Sequence, residues 1–261
     1  MHKTYIYVVD KTMPKESRQA EREFLAAYDP AVFERPSITV DVALLSVIDG
    51  AIWTLLVRRA EHPFKGRLAL PGGFVRMDES LDDAAARVLS GKAGIEPPYL
   101  EQLYTFGEPK RDPRMRIVTV TYYALVDAER FRARKAEPGA TVVARLVVPW
   151  KGETGGPVRV VDAQGKAHPL AFDHADILGM AVKRVRGKLD YSPLGFQLLP
   201  ERFTLLDLQK VHEALLGRPL NKDSFRRRML ASGQLEATGK SRGGTAFRPA
   251  ELYRFSKRSA V

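Results

Sequence analysis

The chain has no cysteine among its 261 residues. That excludes disulfides, a thiolate nucleophile and cysteine-based zinc or iron–sulfur sites. Its five histidines show no HExxH-like spacing, so a helix-borne zinc pair is not expected either. No run approaches the roughly 18 consecutive apolar residues that a membrane span needs. Met1 to Asp10 lack the basic, apolar and small-residue zones of a secretory leader, and the expectation is a cytoplasmic protein with no membrane partner. Acid is in short supply too: 31 Asp and Glu face 42 Lys and Arg, for a net charge of +11. Residues 200–261 hold thirteen Lys and Arg against six acids, a net +7. Such asymmetry fits an ordinary domain joined to one that binds nucleic acid. With 44% apolar and 28% charged residues, the chain has material for packed cores and is neither disordered nor coiled-coil in type.

Apolar periodicity organises the rest. Residues 15–27 have helix-forming composition and stop at Asp29-Pro30, so residues 1–36 are read as an N-terminal extension of strand and helix. Ile38–Ile48 and Ala51–Arg58 are β-branched, apolar runs separated by Asp49-Gly50, the dipeptide favoured by a type I′ hairpin because both residues need positive φ. Gln102–Phe106, Arg116–Val126 and Thr141–Val148 also read as strands. Leu81, Ala84, Ala85, Val88 and Leu89 repeat at helical spacing, with Ser80 and Asp83 as a capping-box-like start and Gly94 as a stop. The glycine-rich, polar stretch Lys151–Gly165 reads as a loop or a weak hairpin, which places a linker at residues 153–172 between a domain at 37–152 and another at 173–261. Asp173 is expected to cap a helix whose apolar row runs Ile177, Ala181, Val185, Leu189.

Leu70-Pro71-Gly72-Gly73-Phe74, then Glu79, Arg87 and Gly94-Ile95, resembles the Nudix box: a glycine, five residues, a glutamate, seven residues, then Arg-Glu-apolar-x-Glu-Glu-x-Gly-apolar. In that box a glycine turn lets backbone approach a diphosphate, while helix glutamates hold Mg²⁺ that offsets the phosphate charge and activates water. The resemblance implies an α/β/α sandwich around a mixed sheet. The three helix glutamates, however, are replaced by Val88, Gly91 and Lys92. No catalytic residue, metal ligand or required cofactor is therefore expected, and the chain is read as a non-enzyme. Asp78, Glu79, Asp82 and Asp83 are the only acids nearby that could be recruited, and Asp83 is well placed for an i,i+4 pair with Arg87. The alternative reading is a working Mg-dependent pyrophosphatase of ADP-ribose type with a nucleic-acid-binding appendage.

What remains is a binding scaffold. Arg58, Arg59, Lys65, Arg67, Arg87, Arg111, Arg114 and Arg116 put basic donors around the box and the 107–116 loop, where arginine forks suit phosphates. Each taken singly is a solvated surface charge; beside the Gly-Gly turn they form a candidate anion site. Phe64, Phe74 and Phe106 could stack an adenine or serve as core. The candidate ligand-binding set is Arg59, Arg67, Gly72, Gly73, Phe74, Glu79, Arg87, Arg111 and Arg116.

The basic C-terminal part has its own pattern. Thr204 and Asp207 start a helix carrying Leu205, Leu208, Val211 and Leu215, which Gly217 ends; Asn221 caps a second helix running to Ser232. In such a helix–turn–helix the second helix reads DNA. On a helical wheel Phe225 and Met229 lie together, with Leu230 on their flank; Ser224, Arg227, Arg228 and Ala231 lie opposite, and Arg226 projects between, suited to packing or an ion pair. Leu235–Thr238 and Leu252–Phe255 read as short strands around a basic tip, Gly239 to Gly244, that includes Lys240 and Arg242.

The two modules in this order, with Tyr191-Ser192-Pro193-Leu194, Gly217-Arg218-Pro219-Leu220, Phe225-Arg226-Arg227 and Arg248-Pro249-Ala250-Glu251-Leu252-Tyr253, resemble the Nudix-related transcriptional regulators of NAD metabolism, the NrtR family. The resemblance implies a homodimeric, winged-helix repressor on a palindromic double-stranded operator in the nucleoid, released by ADP-ribose or a related nucleotide diphosphate. It implies sensing at Gly72, Gly73, Glu79 and Arg87, and DNA contact at Lys222, Ser224, Arg227, Arg228, Lys240 and Arg242.

Overall fold

The computed structural model is described over residues 14–97, 99–134, 141–189, 192–243 and 249–256. It divides into a short unit, residues 1–36, and a larger one, residues 37–261. In the short unit α1 (Lys15–Ala27) carries an i,i+4 Gln19–Glu23 bond and buries none of its residues, and Asp29 caps a 3-10 turn, Pro30–Val32, by accepting from the Ala31 amide. Residues 1–13 of the expected extension lie outside the described residues.

The larger unit is built on a nine-stranded mixed sheet. Asp49 (φ 50°) and Gly50 (φ 74°) both take the left-handed conformation a type I′ turn demands, and fold β1 (Ser37–Ile48) back onto β2 (Ala51–Arg58). Short β3 (Leu68–Ala69) pairs with β2, and β4 (Gly72–Phe74) with β1, so the Gly72-Gly73 pair expected in a turn stands in a strand. Helix α2 (Leu81–Ala93) starts on the Ser80 side chain, which accepts from the Asp83 amide, and ends on left-handed Gly94. After it come β5 (Tyr99–Phe106), β6 (Ile117–Leu125), α3 (Ala128–Arg132) and β7 (Thr141–Val147). β6 runs parallel to β1, the one parallel pairing within the sheet's described ladders, and the central order is β5-β6-β1-β2-β7.

Period-two alternation in β1 sends Val40, Val42 and Leu44 to one face, against Ala84, Ala85, Val88 and Leu89 of α2 and Phe131 of α3. Ala43, Leu45 and Val47 go to the other, against Ile177, Ala181 and Val185 of α4 (His174–Lys188). A strand buried on both faces reads as a continuous apolar run, which is why β1 shows no polar alternation. Val88 is part of this packing: the residue standing where a box glutamate is expected is 2% exposed.

Within the stretch expected to be a linker, a short hairpin joins the sheet, not a free connection. β8 (Arg159–Val161) pairs with β7 and β9 (Ala167–His168) with β8, so these two strands extend the sheet's edge. The C-terminal elements are α5 (Leu205–Leu216), α6 (Lys222–Ala231) and the hairpin β10 (Leu235–Arg242) with β11 (Ala250–Phe255). Thr204 and Asp207 form the full reciprocal capping box, Gly217 ends α5 at φ 68°, and Asn221 accepts from the Ser224 amide to cap α6. The hairpin strands run further than their composition indicates: β10 continues through Gly239 (φ 66°) with a register shift between Ala237 and Ser241, so Lys240 and Arg242 stand on a strand and not in a tip loop. Residues 244–248, which take in Gly244 of the expected tip and Arg248, lie outside the described residues. Leu208, Val211, Leu215, Phe225 and Tyr253 join the same buried cluster as Leu45, Leu56 and Tyr123 of the sheet, so the basic module shares a core with the sandwich. Among the described residues, no helix is long and apolar enough to cross a membrane.

Candidate functional site

The loop from β4 to α2 is held by one ion pair. Glu79 Oε1 accepts from the Arg76 amide at 2.8 Å, and Arg87 donates to both Glu79 oxygens from Nε at 2.8 Å and Nη2 at 2.5 Å. Arg87 Nη2 also donates to the Phe74 carbonyl. The Arg87 bonds hold the Glu79 carboxyl down to about 2. Glu79 and Arg87 thus satisfy one another and shape the loop. The expected Asp83–Arg87 pair does not form, because Asp83 turns to the Ser80 hydroxyl at its own helix start. Gly72 is required by close approach: a Cβ there would stand 1.9 Å from Asp41 Oδ1 and 3.0 Å from the Val40 carbonyl oxygen.

Beside this loop opens a cleft of about 700 Å³, within the size range of small-molecule sites. Arg58, Arg59, Lys92, Arg111 and Arg114 line it, against the acids Asp41, Glu61 and Asp112. Internal acceptors hold these cations in place. Arg59 Nε donates to the Pro63 carbonyl at 2.7 Å, Arg114 forks onto Asp112, and Lys92 Nζ reaches the Gly72 carbonyl at 2.5 Å. Arg111 forks onto Asp173, from Nε at 2.8 Å and Nη2 at 2.6 Å. At the floor, buried Asp41 accepts from the Thr119 hydroxyl at 2.8 Å, with Arg111 Nη2 at 3.7 Å. Burial lowers the His174 pKa; its Nδ1 accepts from the Leu70 amide at 2.8 Å, which leaves the proton of the neutral ring on Nε2, 3.8 Å from Asp41 Oδ1.

Of the expected ligand set, Arg59, Gly72, Gly73, Phe74 and Arg111 line the cleft. Arg67 lies over the Phe64 ring, Cζ 5.2 Å from its centroid, and Arg116 donates to the Gly107 carbonyl; like Glu79 and Arg87, they are outside the lining. Among the aromatics, Phe74 is half exposed in the wall, while Phe106 packs edge-on against Tyr104 elsewhere. Phe64 instead meets Phe172 edge-on at 5.0 Å, and Phe172, at φ 52°, lines the cleft under the Arg59 guanidinium. Sequence reasoning missed Asp41, Asp112, Phe172 and His174. Asp41 did carry a signal as the only charge in the apolar run of β1; the others carried none.

The donor set does not suit a divalent metal. Among the described residues no group of three or more His, Asp or Glu is placed to hold one. Asp112 already receives the Arg114 fork, and Asp41 lies among Thr119, Arg111 and His174.

Helix α4 ties the cleft to the basic module. Asp173 occupies the position before α4, but its side chain does not cap the helix; it turns to Arg111. At the far end of α4, buried Arg186 donates to the Leu215 carbonyl at 2.6 Å, in the last turn of α5, and to the Gly152 carbonyl at 2.9 Å. In the basic module Phe225 is buried, 5.1 Å from the His212 ring, and anchors α6; Lys222, Ser224, Arg227 and Arg228 are exposed. Arg226, expected to pack or pair, is exposed as well. Arg242 Nη1 lies 2.9 Å from Asp207 Oδ2 and straps the hairpin to the start of α5, while Lys240 is exposed.

The model of the NrtR DNA-binding winged helix domain matches residues 195–255, and that of the NUDIX domain residues 37–151. An "ADPR responsive transcriptional repressor NtrR" of Acinetobacter baylyi is 39% identical over 239 residues, 91% of this chain and 89% of that protein. The chain belongs to the NrtR family of Nudix-related transcriptional regulators. Shewanella oneidensis NrtR, solved in complex with a 27mer DNA, superimposes with a TM-score of 0.69 at 37% identity, covering 84% of this chain and 93% of that one. A MutT/nudix family protein of Enterococcus faecalis reaches a TM-score of 0.73 at 26% identity, covering 94% and 95%. The Nudix sandwich followed by a winged helix is therefore the fold of this NrtR-family chain. Helix α4 lies outside the residues that either family model matches.

Proposed function

We propose that this NrtR-family protein is a DNA-binding repressor whose Nudix cleft senses ADP-ribose or a related nucleotide diphosphate and, when occupied, releases a palindromic operator. It acts as a cytoplasmic, nucleoid-associated homodimer, needs no cofactor and does not hydrolyse its effector, since none of the acids in the cleft has the setting of a metal-activating base. Arg59 and Arg111 receive the phosphates beside Gly72 and Gly73 of β4. Glu79 and Arg87 keep the loop after β4 in shape. Lys222, Ser224, Arg227 and Arg228 face the major groove, and Lys240 and Arg242 meet backbone phosphates.

The observation that carries the reading is the Arg111–Asp173 fork. An anion in the cleft competes with Asp173 for the same guanidinium, and Asp173 begins the helix whose other end holds α5 through Arg186. Ligand binding thereby changes what restrains the winged helix. Coupling of this kind needs different ligand affinities in two states and is typically worth about 1–3 kcal/mol. Rotating two winged helices out of half-site spacing then lowers DNA affinity. The test is fluorescence anisotropy on operator DNA selected from a random library, titrated with ADP-ribose. Displacement supports the reading; unchanged anisotropy rejects ADP-ribose as effector.

A further inference from the structure

The Nudix scaffold is built for a phosphate bridged to glutamates by a divalent ion; this chain lacks those glutamates, and among its described residues there is no substitute cluster. It does have a cation at that place. Lys92 occupies the position of a box glutamate, lines the cleft, and its Nζ is fixed on the carbonyl oxygen of Gly72 at the start of β4. We propose that the Lys92 ammonium takes over the electrostatic role of the divalent ion, so that a nucleotide diphosphate binds this protein without metal. The inference rests on the sensing role proposed above and extends it to how the anion is held.

Three features of the site support the exchange. A divalent ion needs carboxylates whose charge offsets most of its own, whereas a lysine brings its charge without them, so loss of the glutamates and gain of the lysine are consistent with each other. The neighbouring positions have been cleared of acid: Val88 is buried in the core and Gly91 has no side chain, so nothing on that face of α2 neutralises Lys92. The ammonium is also held at one point of β4, and two of its three donors remain for an incoming oxygen. Burial lowers the Lys92 pKa, a desolvation cost that an anion in the cleft would offset. Asp41 is the acid that offsets this at the cleft floor, and its oxygens are engaged with Thr119 and close to Arg111 and His174.

The experiment is calorimetric titration of the full-length protein with ADP-ribose, in EDTA and again with MgCl₂. Equal affinity in the two buffers is expected for the wild type. Lys92→Met should lose roughly ten- to a hundredfold in ADP-ribose affinity, the worth of one hydrogen bond to a charged group, while Lys92→Arg retains most of it. Adenosine, which lacks phosphate, serves as the second probe. If Lys92 only props up β4 at Gly72, Lys92→Met weakens both ligands; if it meets phosphate, only ADP-ribose weakens. Wild-type affinity that rises tenfold or more with Mg²⁺ overturns the proposal without any variant. So does a Lys92→Met protein that binds ADP-ribose as the wild type does. Failure of the wild type to bind ADP-ribose in either buffer refutes the sensing role itself, and is told apart by that result.

Discussion

Replacing Asp173 by Asn tests the competition between effector and helix for Arg111. The Arg111 side chain is 4% exposed and that of Asp173 20%, so the fork is largely shielded from solvent screening. Asn keeps the shape and one acceptor but loses the charge and the second parallel bond. Hydrogen bonds to charged groups contribute about 1.5–3 kcal/mol. Asp41, 3.7 Å from the same guanidinium, retains part of the stabilisation. The expected net change is therefore about 1–2 kcal/mol, or roughly five- to thirtyfold. It should appear with opposite signs in two assays. Calorimetry should show tighter ADP-ribose binding, because the phosphate no longer displaces a carboxylate. Anisotropy without effector should show weaker operator binding, because α4 has lost the restraint that favours the DNA-competent arrangement. An unchanged ADP-ribose affinity in a variant that melts within a degree or two of wild type would refute the claim that phosphate and Asp173 contest Arg111. Tighter effector binding with unaltered operator affinity would place the competition in the cleft but remove α4 as its route to the winged helix.

Further outcomes follow from other residues. Arg227→Ala should lower affinity for the operator by about 1–3 kcal/mol and relax base preference, whereas Lys240→Ala should weaken all duplexes alike and make the slope of log affinity against log salt shallower by about 1; identical behaviour of the two contradicts their assignment. Gly72→Ala would set a methyl group 1.9 Å from Asp41 Oδ1, so a loss of about 1–3 kcal/mol in urea unfolding is expected together with weaker effector binding. Glu79 titrates near 2 in the folded chain against an ordinary 4.5, so its contribution is present above the unfolded value and lost as pH falls toward 2. The stability difference between wild type and Glu79→Gln should therefore be widest near neutral pH and close in acid, and a pH-independent difference would show that the Arg87 bond is not its source.

The local elements were legible because their causes are local. Asp49-Gly50 demands its hairpin, the Thr204–Asp207 pair its helix start, and Gly94 and Gly217 their stops, since each satisfies backbone groups within a few residues. The Gly72-Gly73 pair, the replacement of the box glutamates and the basic surplus after residue 200 are also properties of the chain read in order, although the pair stands in strand β4 and not in the expected turn. Spacing alone could not tell which arginines face the cleft. Arg87 keeps its place in the box and yet serves Glu79, whereas Arg114, left out of the candidate set, lines the cavity. Asp173 was legible as a helix start but not as the partner of Arg111, 62 residues away, nor was Arg186 as the clasp on α5. The hairpin open to the stretch after Lys151 is present, but its place on the sheet was not legible, because glycine composition reports chain flexibility and not the sheet edge available to pair with it. Composition and short-range spacing thus determined the elements and the two modules. Only the packing of α4 and α5 against one face of the sheet decided which charges meet and how the cleft is joined to the DNA-binding module, because burial selects partners by proximity in space.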